Sequence, residues 1–312
     1  MPITFSVITP SLNQGRFIRA NIESVLAQGR ADVEHIVMDG GSKDETVAIL
    51  KEYPHLKWVS EKDRGQSDAL NKGIARASGQ WIVWINSDDS LLPDCLNRLA
   101  QFLETHPTAR FVYSNTVFVD ENNQEISRRK VCYTRDNRTL YYWWRQGSGF
   151  GQPGSFFRKS LWEKYGPFDN DLHYTMDYDF WLKMSGHVEF LYLDACLATY
   201  RLHGASKTLE GWRPFLLEKM RVARRYWDAR GGWRKWEFRF LLPLAFAKKA
   251  VLEGLLRWDA GDSRKARALW KEALRSQPLA FLMSRPWWCF VLQKILRRPY
   301  WDSLRKRMGV TK

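Results

Sequence analysis

Three short segments of the chain carry carboxylates in places where an α/β fold could use them to bind a ligand or to transfer a proton. The first contains Asp39, which directly follows the apolar run His35–Met38 and precedes two glycines. A carboxylate there can accept hydrogen bonds from a ligand, and the glycines let the backbone approach that ligand closely. The same pattern is typical of a residue that caps a helix or forms a turn. Ligand binding and capping therefore both stay open for Asp39.

The second segment is Asn86-Ser-Asp-Asp89, which follows the apolar run Trp81–Ile85. Adjacent carboxylates repel each other unless a cation lies between them, and oxygen ligands favour hard ions such as Mg²⁺ or Mn²⁺. An ion held there would bind a diphosphate group and offset its charge. The alternative is a solvated turn before the helix that Pro93 begins. The long apolar run in front of the acidic residues makes this alternative the weaker one.

The third segment is Met176-Asp-Tyr-Asp179, which precedes Phe180-Trp-Leu182. If a helix begins here, Asp177 and Asp179 cannot share one of its faces. One of them would then point into a site while the other caps the helix. A carboxylate in such a site can take the proton of a hydroxyl group. Simple capping explains the segment equally well on its own.

The elements that position these segments alternate along the first half of the chain, which is typical of an α/β domain. The expected strands are 5–9, 35–38, 57–60 and 81–85, and the expected helices are 13–28, 44–53, 66–77 and 93–105. The carboxyl ends of parallel strands meet at one edge of a sheet, where such folds bind ligands. Asp39 and the 86–89 segment are therefore expected at the same edge.

The pattern changes after residue 110. We expect strands over 111–119, 126–131, 188–193 and 198–201. The glycine-rich stretch 147–154 is interpreted as a mobile loop at the acceptor side of a site, because glycine permits flexibility and close approach. An ordinary surface loop is the equally weighted alternative.

Composition excludes several classes of protein. The chain has 312 residues, 45% of them hydrophobic, which fits a globular protein. Its four cysteines are far apart and form no CxxC pair, so we expect reduced thiols rather than disulfides or structural zinc. Neither a signal peptide nor an apolar run long enough to span a bilayer is recognisable. These features predict a cytoplasmic protein.

The charge is concentrated in the last third of the chain. Residues 211–312 contain 25 Lys and Arg against 8 Asp and Glu, together with nine of the sixteen tryptophans. This difference predicts a near-neutral body and a basic, Trp-rich tail with separate functions. Cations and tryptophan favour anionic membrane surfaces, so peripheral attachment to the inner membrane face is one hypothesis. A helical subdomain that packs its tryptophans inward is the other. The region contains no recognisable nucleic-acid-binding motif, so nucleic acid is not an expected partner.

A series of motifs in fixed order carries a more specific signal. They are Ser6–Asn13, Ser24–Gln28, Val37–Asp44, Asp63–Gly73, Trp84–Asp89, Gln152–Phe157, Met176–Trp181 and Tyr200–His203. The series resembles the family 2 inverting glycosyltransferases of the GT-A fold, and it is similar to bacterial enzymes of surface-polysaccharide assembly. The resemblance covers about residues 3–207 and implies a catalytic domain over 1–207, which a basic, Trp-rich helical region over 208–312 follows. It implies a Rossmann-like mixed sheet flanked by helices, here with a C-terminal helical extension.

The resemblance also implies roles for the matching residues. Those expected at the nucleotide-sugar are Thr9, Pro10, Asn13, Asp39, Asp63, Gln66 and Asp88. Those expected at a Mn²⁺ or Mg²⁺ ion are Asp89, Asp88 and His203, with Asp89 favoured as the direct ligand. The catalytic segment contains Asp177, expected as the base, and Asp179.

The implied reaction is a metal-assisted hexosyl transfer, with inversion, from a nucleotide-diphospho-sugar to a glycan or lipid-linked acceptor. A UDP-sugar is the favoured donor. Two positions depart from the family pattern, because Asn86 and Met176 stand where acidic residues are common. Donor preference and metal affinity are the properties that these departures affect.

Two other classes of function compete with this interpretation. A catalytically weak scaffold recruited through its basic tail is the main alternative, although Asp39, Asp89 and Asp177 are all retained. An NAD-dependent enzyme is disfavoured, because Thr9–Asn13 stands where GxGxxG would follow the first strand.

Overall fold

The computed structural model describes residues 4–129, 131, 150–204, 212–230, 247, 250, 251, 253–255, 257, 258, 262–276, 278 and 282. Its first half is a parallel sheet with connecting helices. The strands are β1 (Phe5–Ser11), β2 (Val33–Asp39), β3 (Lys57–Ser60) and β4 (Trp81–Trp84), in the order β3-β2-β1-β4. The helices are α1 (Gly15–Leu26), α2 (Thr46–Leu50), α3 (Gln66–Arg76) and α4 (Cys95–Thr105). These elements match the expected ones closely.

The second half extends the sheet in a mixed arrangement. Its strands are β5 (Phe111–Val119), β6 (Glu125–Arg129), β7 (Ser155–Arg158) and β8 (Phe190–Arg201). β7 lies antiparallel between β4 and β5, whereas β8 pairs parallel with β5. Two helices, α5 (Lys159–Tyr165) and α6 (Met176–Met184), lie between β7 and β8 in the chain. The result is the mixed α/β sheet with flanking helices that the sequence predicts.

The core explains why β1 and β4 are apolar along their whole length. Every residue of both strands is buried, which is expected when helices cover both faces of a parallel sheet. One apolar cluster joins Val83 of β4 to Leu96 and Leu99 of α4. A second joins Ile22 of α1 to Val37 of β2. The strand ends are thus held between packed helices.

Two expectations for the second half are wrong. The segments 188–193 and 198–201 form one continuous strand, β8, rather than two. The pairing with β5 shifts register between Ser114 and Thr116, so extra residues of β8 bulge there. Asp194, which reads as a loop residue, accepts a hydrogen bond from Asn115 Nδ2 at 3.0 Å within this bulge.

The described end of the glycine-rich stretch is not a mobile loop. Phe150 and Gln152 are buried, and Gln152–Gly154 forms a short 3₁₀ turn. A Cβ added to Gly154 would lie only 3.0 Å from the carbonyl oxygen of Ser114. The glycine therefore permits close backbone packing rather than motion. Residues 147–149 lie outside the described residues.

The C-terminal region contains α7 (Trp212–Arg230) and α8 (Ser263–Ser276). The chain divides into two compact units, Met1–Ala223 and Arg224–Lys312. The first unit therefore extends past the predicted boundary at 207 and includes the start of α7. No described helix has the length and apolar character to cross a membrane.

The side chains of two tail tryptophans are described, and these two pack against each other within the second unit. Trp270 is buried and stacks on Trp258, with 5.7 Å between ring centroids. The Trp270 indole N–H donates to the carbonyl oxygen of Val251 at 3.3 Å. These contacts favour the inward-packing hypothesis for this pair.

Candidate active site

The carboxyl ends of β1, β2 and β3 meet where Ser11, Asp39 and Ser60 lie side by side in register. Asp39 is buried, and its Oδ2 accepts hydrogen bonds from the Gly41 N–H at 3.1 Å, the Ser42 N–H at 2.9 Å and Ser60 Oγ at 2.6 Å. Gly41 has a φ of +83°, which favours glycine. Asp39 therefore forms a turn, which is one of the two roles that the sequence left open for it.

Asp63 lies against the same turn. A Cβ added to Gly40 would lie 2.8 Å from Asp63 Oδ2, so only glycine lets this carboxylate approach. The Asp63 carboxylate accepts the Gly65 N–H at 2.8 Å. Burial raises its pKa above the usual range, and the charge of Asp39 adds to this effect. Two predicted donor-site carboxylates are thus close together at one sheet edge.

The residues predicted in the first motif have different environments. Thr9 is fully buried, and its hydroxyl lies 2.9 Å from His35 Nε2, so this side chain links β1 to β2 and its place in the nucleotide pocket stays a prediction. Pro10 is also buried within β1. Asn13 is exposed with a φ of +52°, and its Oδ1 accepts the Lys43 N–H at 2.9 Å. Of the three, only Asn13 presents its side chain at the surface of the sheet edge.

Residues 86–89, the acidic turn, are held by side-chain amides. Asn86 Oδ1 accepts hydrogen bonds from Gln66 Nε2 and Trp84 Nε1, both at 2.8 Å. Asn86 Nδ2 donates to Gln152 Oε1 at 3.0 Å, and Gln152 Nε2 donates to the Trp84 carbonyl at 2.7 Å. Asn86 therefore joins the start of α3 to β4 and to the turn before β7.

This network explains the departure at position 86. The position needs an acceptor for Gln66 and Trp84 and a donor for Gln152, and an amide supplies both whereas a carboxylate does not. Gln152 lies in a motif that the sequence singled out without assigning it a role. Asn21 was missed altogether. Its Nδ2 donates to the backbone carbonyls of Asn86 and Asp89, each at 2.9 Å.

The two carboxylates of the acidic turn differ in exposure and in partners. Asp89 is buried, and its Oδ1 accepts the backbone N–H of Arg201 at 2.8 Å. Burial raises the pKa of Asp89 well above its usual range, and the neighbouring charge of Asp88 raises it further. Asp88 keeps 22% of its side chain exposed, and its Oδ2 lies 3.0 Å from His203 Nε2. Of the two carboxylates, Asp88 is therefore the more accessible to an ion, whereas the metal-ligand role of Asp89 stays a prediction.

Arg201 is a second residue that the sequence missed, although it lies in the motif that contains His203. Its buried side chain donates from Nε to the Asp88 carbonyl at 2.7 Å and from Nη1 to the Asp120 carbonyl at 3.0 Å. Arg201 therefore fixes the acidic turn against the turn between β5 and β6.

Asp88 and His203 are the residues that best fit a divalent cation. They offer an oxygen and a nitrogen donor that already lie 3.0 Å apart. Within the described residues, no group of three or more His, Cys, Asp or Glu is arranged to hold a metal. Two protein donors suit an ion such as Mg²⁺ or Mn²⁺, which takes its other ligands from water and substrate phosphates. The donor set therefore fits the predicted cation in the presence of a diphosphate.

The two aspartates of α6 also separate in role. Asp179 is buried, and its carboxylate pairs with Lys183 Nζ at 2.9 Å within the helix, so its catalytic role stays a prediction. Asp177 is half-buried in the first turn, and its Oδ1 accepts the Tyr178 N–H at 2.7 Å. Burial raises the pKa of Asp177 to about 6. A carboxylate with this pKa is a suitable proton acceptor near neutral pH.

Comparison with known proteins gives a family for the chain. The family model described as "Glycosyl transferase family 2" matches residues 6–166. A PGL/p-HBAD biosynthesis glycosyltransferase of Mycobacterium bovis is 26% identical over 217 residues, which cover 64% of this chain and 77% of the relative.

Solved structures share the fold. Staphylococcus aureus TarS 1-349 in complex with UDP has a TM-score of 0.53 and 18% identity, covering 88% of this chain and 91% of TarS. The mannosyltransferase PcManGT from Pyrobaculum calidifontis, in complex with GDP-Man and Mn²⁺, has a TM-score of 0.54 and 18% identity, covering 94% and 84% of the two chains. The mixed sheet is a GT-A fold, and the chain belongs to glycosyl transferase family 2.

Proposed function

We propose that this chain transfers a sugar from a nucleotide-diphospho-sugar, with a UDP-sugar as the favoured donor, to a hydroxyl group of a glycan or lipid-linked acceptor. The observation that carries the proposal is the sheet edge where Asp39 ends β2 and where Asp63 and the acidic turn follow the carboxyl ends of β3 and β4. Open α/β sheets bind ligands at this edge. A relative named for PGL/p-HBAD biosynthesis and a neighbour that binds UDP support surface-glycan assembly and the donor class.

The donor occupies the strand edge in this proposal. The turn around Asp39 and Asp63 receives the nucleoside, together with Asn13 and Gln66. Asp88 and His203 hold a Mn²⁺ or Mg²⁺ ion, which when bound neutralises charge on the diphosphate. PcManGT with bound Mn²⁺ supports the choice of a divalent ion.

Asp177 acts on the acceptor. Its carboxylate takes the proton of the acceptor hydroxyl, whose oxygen forms a bond to the anomeric carbon while the bond from that carbon to the diphosphate oxygen breaks. The nucleoside diphosphate leaves, and attack from the opposite face inverts the anomeric centre. The pKa of about 6 leaves Asp177 mostly ionised at neutral pH, as this role requires.

A donor screen tests the proposal. Binding of UDP-, GDP- and dTDP-sugars is measured by calorimetry with Mn²⁺, with Mg²⁺ and with EDTA, and released nucleotide is measured with and without acceptor glycans. We expect one nucleotide class to bind in the presence of metal and EDTA to weaken that binding. The variant Glu104→Gln, at an exposed position of α4, is the control and should bind like the wild type.

Two other results of this screen would point to a different function. If no nucleotide-sugar binds under any metal condition, the transferase proposal is wrong and the scaffold alternative replaces it. Nucleotide release that does not depend on an acceptor would instead indicate hydrolysis of the donor.

We also propose that the basic tail contacts anionic membrane lipids, near a lipid-linked acceptor. The described face of α8 supports this, because its exposed side chains are strongly basic: Arg264, Lys265, Arg267, Lys271 and Arg275. Charge rather than the packed pair Trp258 and Trp270 would provide the attraction. The full chain should float with phosphatidylglycerol vesicles at low salt but not with phosphatidylcholine vesicles. Equal flotation with both lipids, or with neither, would contradict the proposal.

A further inference from the structure

The start of α6 lacks the cap that its sequence offers. Thr175 occupies the N-cap position, but its side chain accepts no hydrogen bond from the helix. The Thr175 hydroxyl instead donates to Glu218 Oε1 at 2.9 Å. The backbone donors that a helix start leaves unpaired must therefore be satisfied from elsewhere.

Glu218 of α7 supplies an acceptor for the N-cap residue, Thr175, and for the two residues that precede it. Its carboxylate accepts three consecutive backbone N–H groups, from His173 at 2.9 Å, Tyr174 at 2.7 Å and Thr175 at 2.8 Å. Glu218 is only 8% exposed, so these charge-assisted bonds are shielded from water. A negative charge at a helix N-terminus is also stabilised by the helix dipole. Glu218 thus fixes the segment that leads into the helix carrying Asp177.

Lys219, the next residue of α7, lies over the neighbouring turn. It is 3% exposed, and its Nζ lies 4.7 Å from the centroid of the Tyr178 ring. This cation–π contact places a buried positive charge beside the residue that follows Asp177. Phe215 of α7 contacts both Lys219 and Tyr174, so the first half of α7 packs along the whole entry to α6.

We propose that Glu218 and Lys219 are positioning residues, which fix the entry to α6 and balance the charge around Asp177. The inference rests on the proposed role of Asp177 as the base. In this proposal α7, which the sequence predicts to belong to the basic tail, helps to position that base. A helix from beyond residue 207 would then complete the acceptor side of the site.

The charged groups around Asp177 make the proposal measurable. From α7, Lys219 lowers the pKa of Asp177 and Glu218 raises it. On α6 itself, Asp179 is paired with Lys183. Removing the positive charge should therefore raise the Asp177 pKa, and removing the negative charge should lower it.

The experiment follows the carboxyl ¹³C shift of Asp177 by NMR in the wild type, Lys219→Met and Glu218→Gln. Asp177→Asn identifies the signal. We expect the titration midpoint to rise in Lys219→Met and to fall in Glu218→Gln, each by roughly 0.5–1 pH unit. Lys219→Arg should restore the midpoint, and Arg221→Gln, at an exposed position of the same helix, should leave it unchanged.

Kinetics form the second readout. In Glu218→Gln, kcat should fall about tenfold while the donor Kd changes less than twofold, because the donor contacts lie at the strand edge. The pH midpoint of kcat should move with the NMR midpoint. A purely structural role would lower the stability of both variants without moving their Asp177 titration midpoints in opposite directions.

The outcomes separate this inference from the proposed function. An Asp177 midpoint that stays constant in both variants overturns the inference, whatever the activity. A wild type that turns over no donor defeats the proposed function, while the carboxyl titration still decides whether α7 sets the charge at Asp177. If Glu218→Gln does not fold, Lys219→Met decides by the same titration, because it keeps the aliphatic stem.

Discussion

The acidic turn and the entry to α6 both present a partly exposed carboxylate, but different kinds of partner hold them. Amide side chains hold the acidic turn, with Asn86 bonded to Gln66 and Gln152. A carboxylate and an ammonium group of α7 hold the entry to α6. The amides and Arg201 fix the turn through its backbone and through Asp89, so no Lys or Arg is paired with the Asp88 carboxylate among the described contacts, and its partner there is His203. Charged partners fix position and also tune the proton affinity of Asp177.

This comparison assigns donor binding to the acidic turn and proton transfer to α6, and the largest expected effect tests that assignment. Asp177→Asn should lower kcat by about 10²- to 10⁴-fold, because an amide cannot accept the hydroxyl proton. Donor affinity should stay within a few-fold of the wild type, as measured by calorimetry. Loss of donor binding in this variant would place Asp177 at the donor instead.

The acidic turn should show the opposite result. Asp88→Ala should weaken metal-dependent donor binding about tenfold or more, because it removes an oxygen donor at the diphosphate. Asp89→Ala should instead lower the free energy of unfolding by about 1–3 kcal/mol, because it leaves the Arg201 N–H unpaired. Calorimetry and urea unfolding measure the two effects, with Asp89→Asn as the control that keeps an acceptor. Equal losses of affinity in both alanine variants would refute the division of roles.

The dependence of turnover on pH sharpens the α6 side of the comparison. A base is active only when ionised, so kcat should fall as the pH drops below the Asp177 pKa of about 6. From about pH 7 to about pH 5 the expected decrease is roughly tenfold. Asp179→Asn should keep the same midpoint, because that carboxylate is paired within the helix. A flat profile over this range would mean that Asp177 is not the titrating base.

The smallest effect concerns the amide network itself. Asn86→Asp removes the donor to Gln152 and brings a third carboxylate next to Asp89, so it should lower the free energy of unfolding by about 1–2 kcal/mol. The loss should shrink as the pH falls, because protonation restores a donor. Urea unfolding at two pH values measures this, with Gln101→Glu, at an exposed position of α4, as the amide-to-carboxylate control. Unchanged stability would show that the turn does not depend on the amide at position 86.

Much of the fold was predictable from local pattern. The alternation of buried strands and amphipathic helices places all four parallel strands within a few residues of their observed bounds. The bulge in β8 was not predictable, because Asp194 reads as a loop residue until its partner Asn115 is known. The buried turn at Gln152–Gly154 was missed for a similar reason, since its glycine serves close packing against β5.

The sequence by itself determined the fold, the family and the segments that carry the site, because strand period, strand-end carboxylates and motif order are local properties. Tertiary structure alone decided which carboxylate of each pair is available. Asp88 and Asp89 are neighbours in sequence, but only Asp89 is buried by Arg201. Asp179 is likewise paired with Lys183, whereas Asp177 lies near the charged residues Glu218 and Lys219 of α7. Burial and partners depend on chain segments that are distant in sequence, so they follow only from the packed structure.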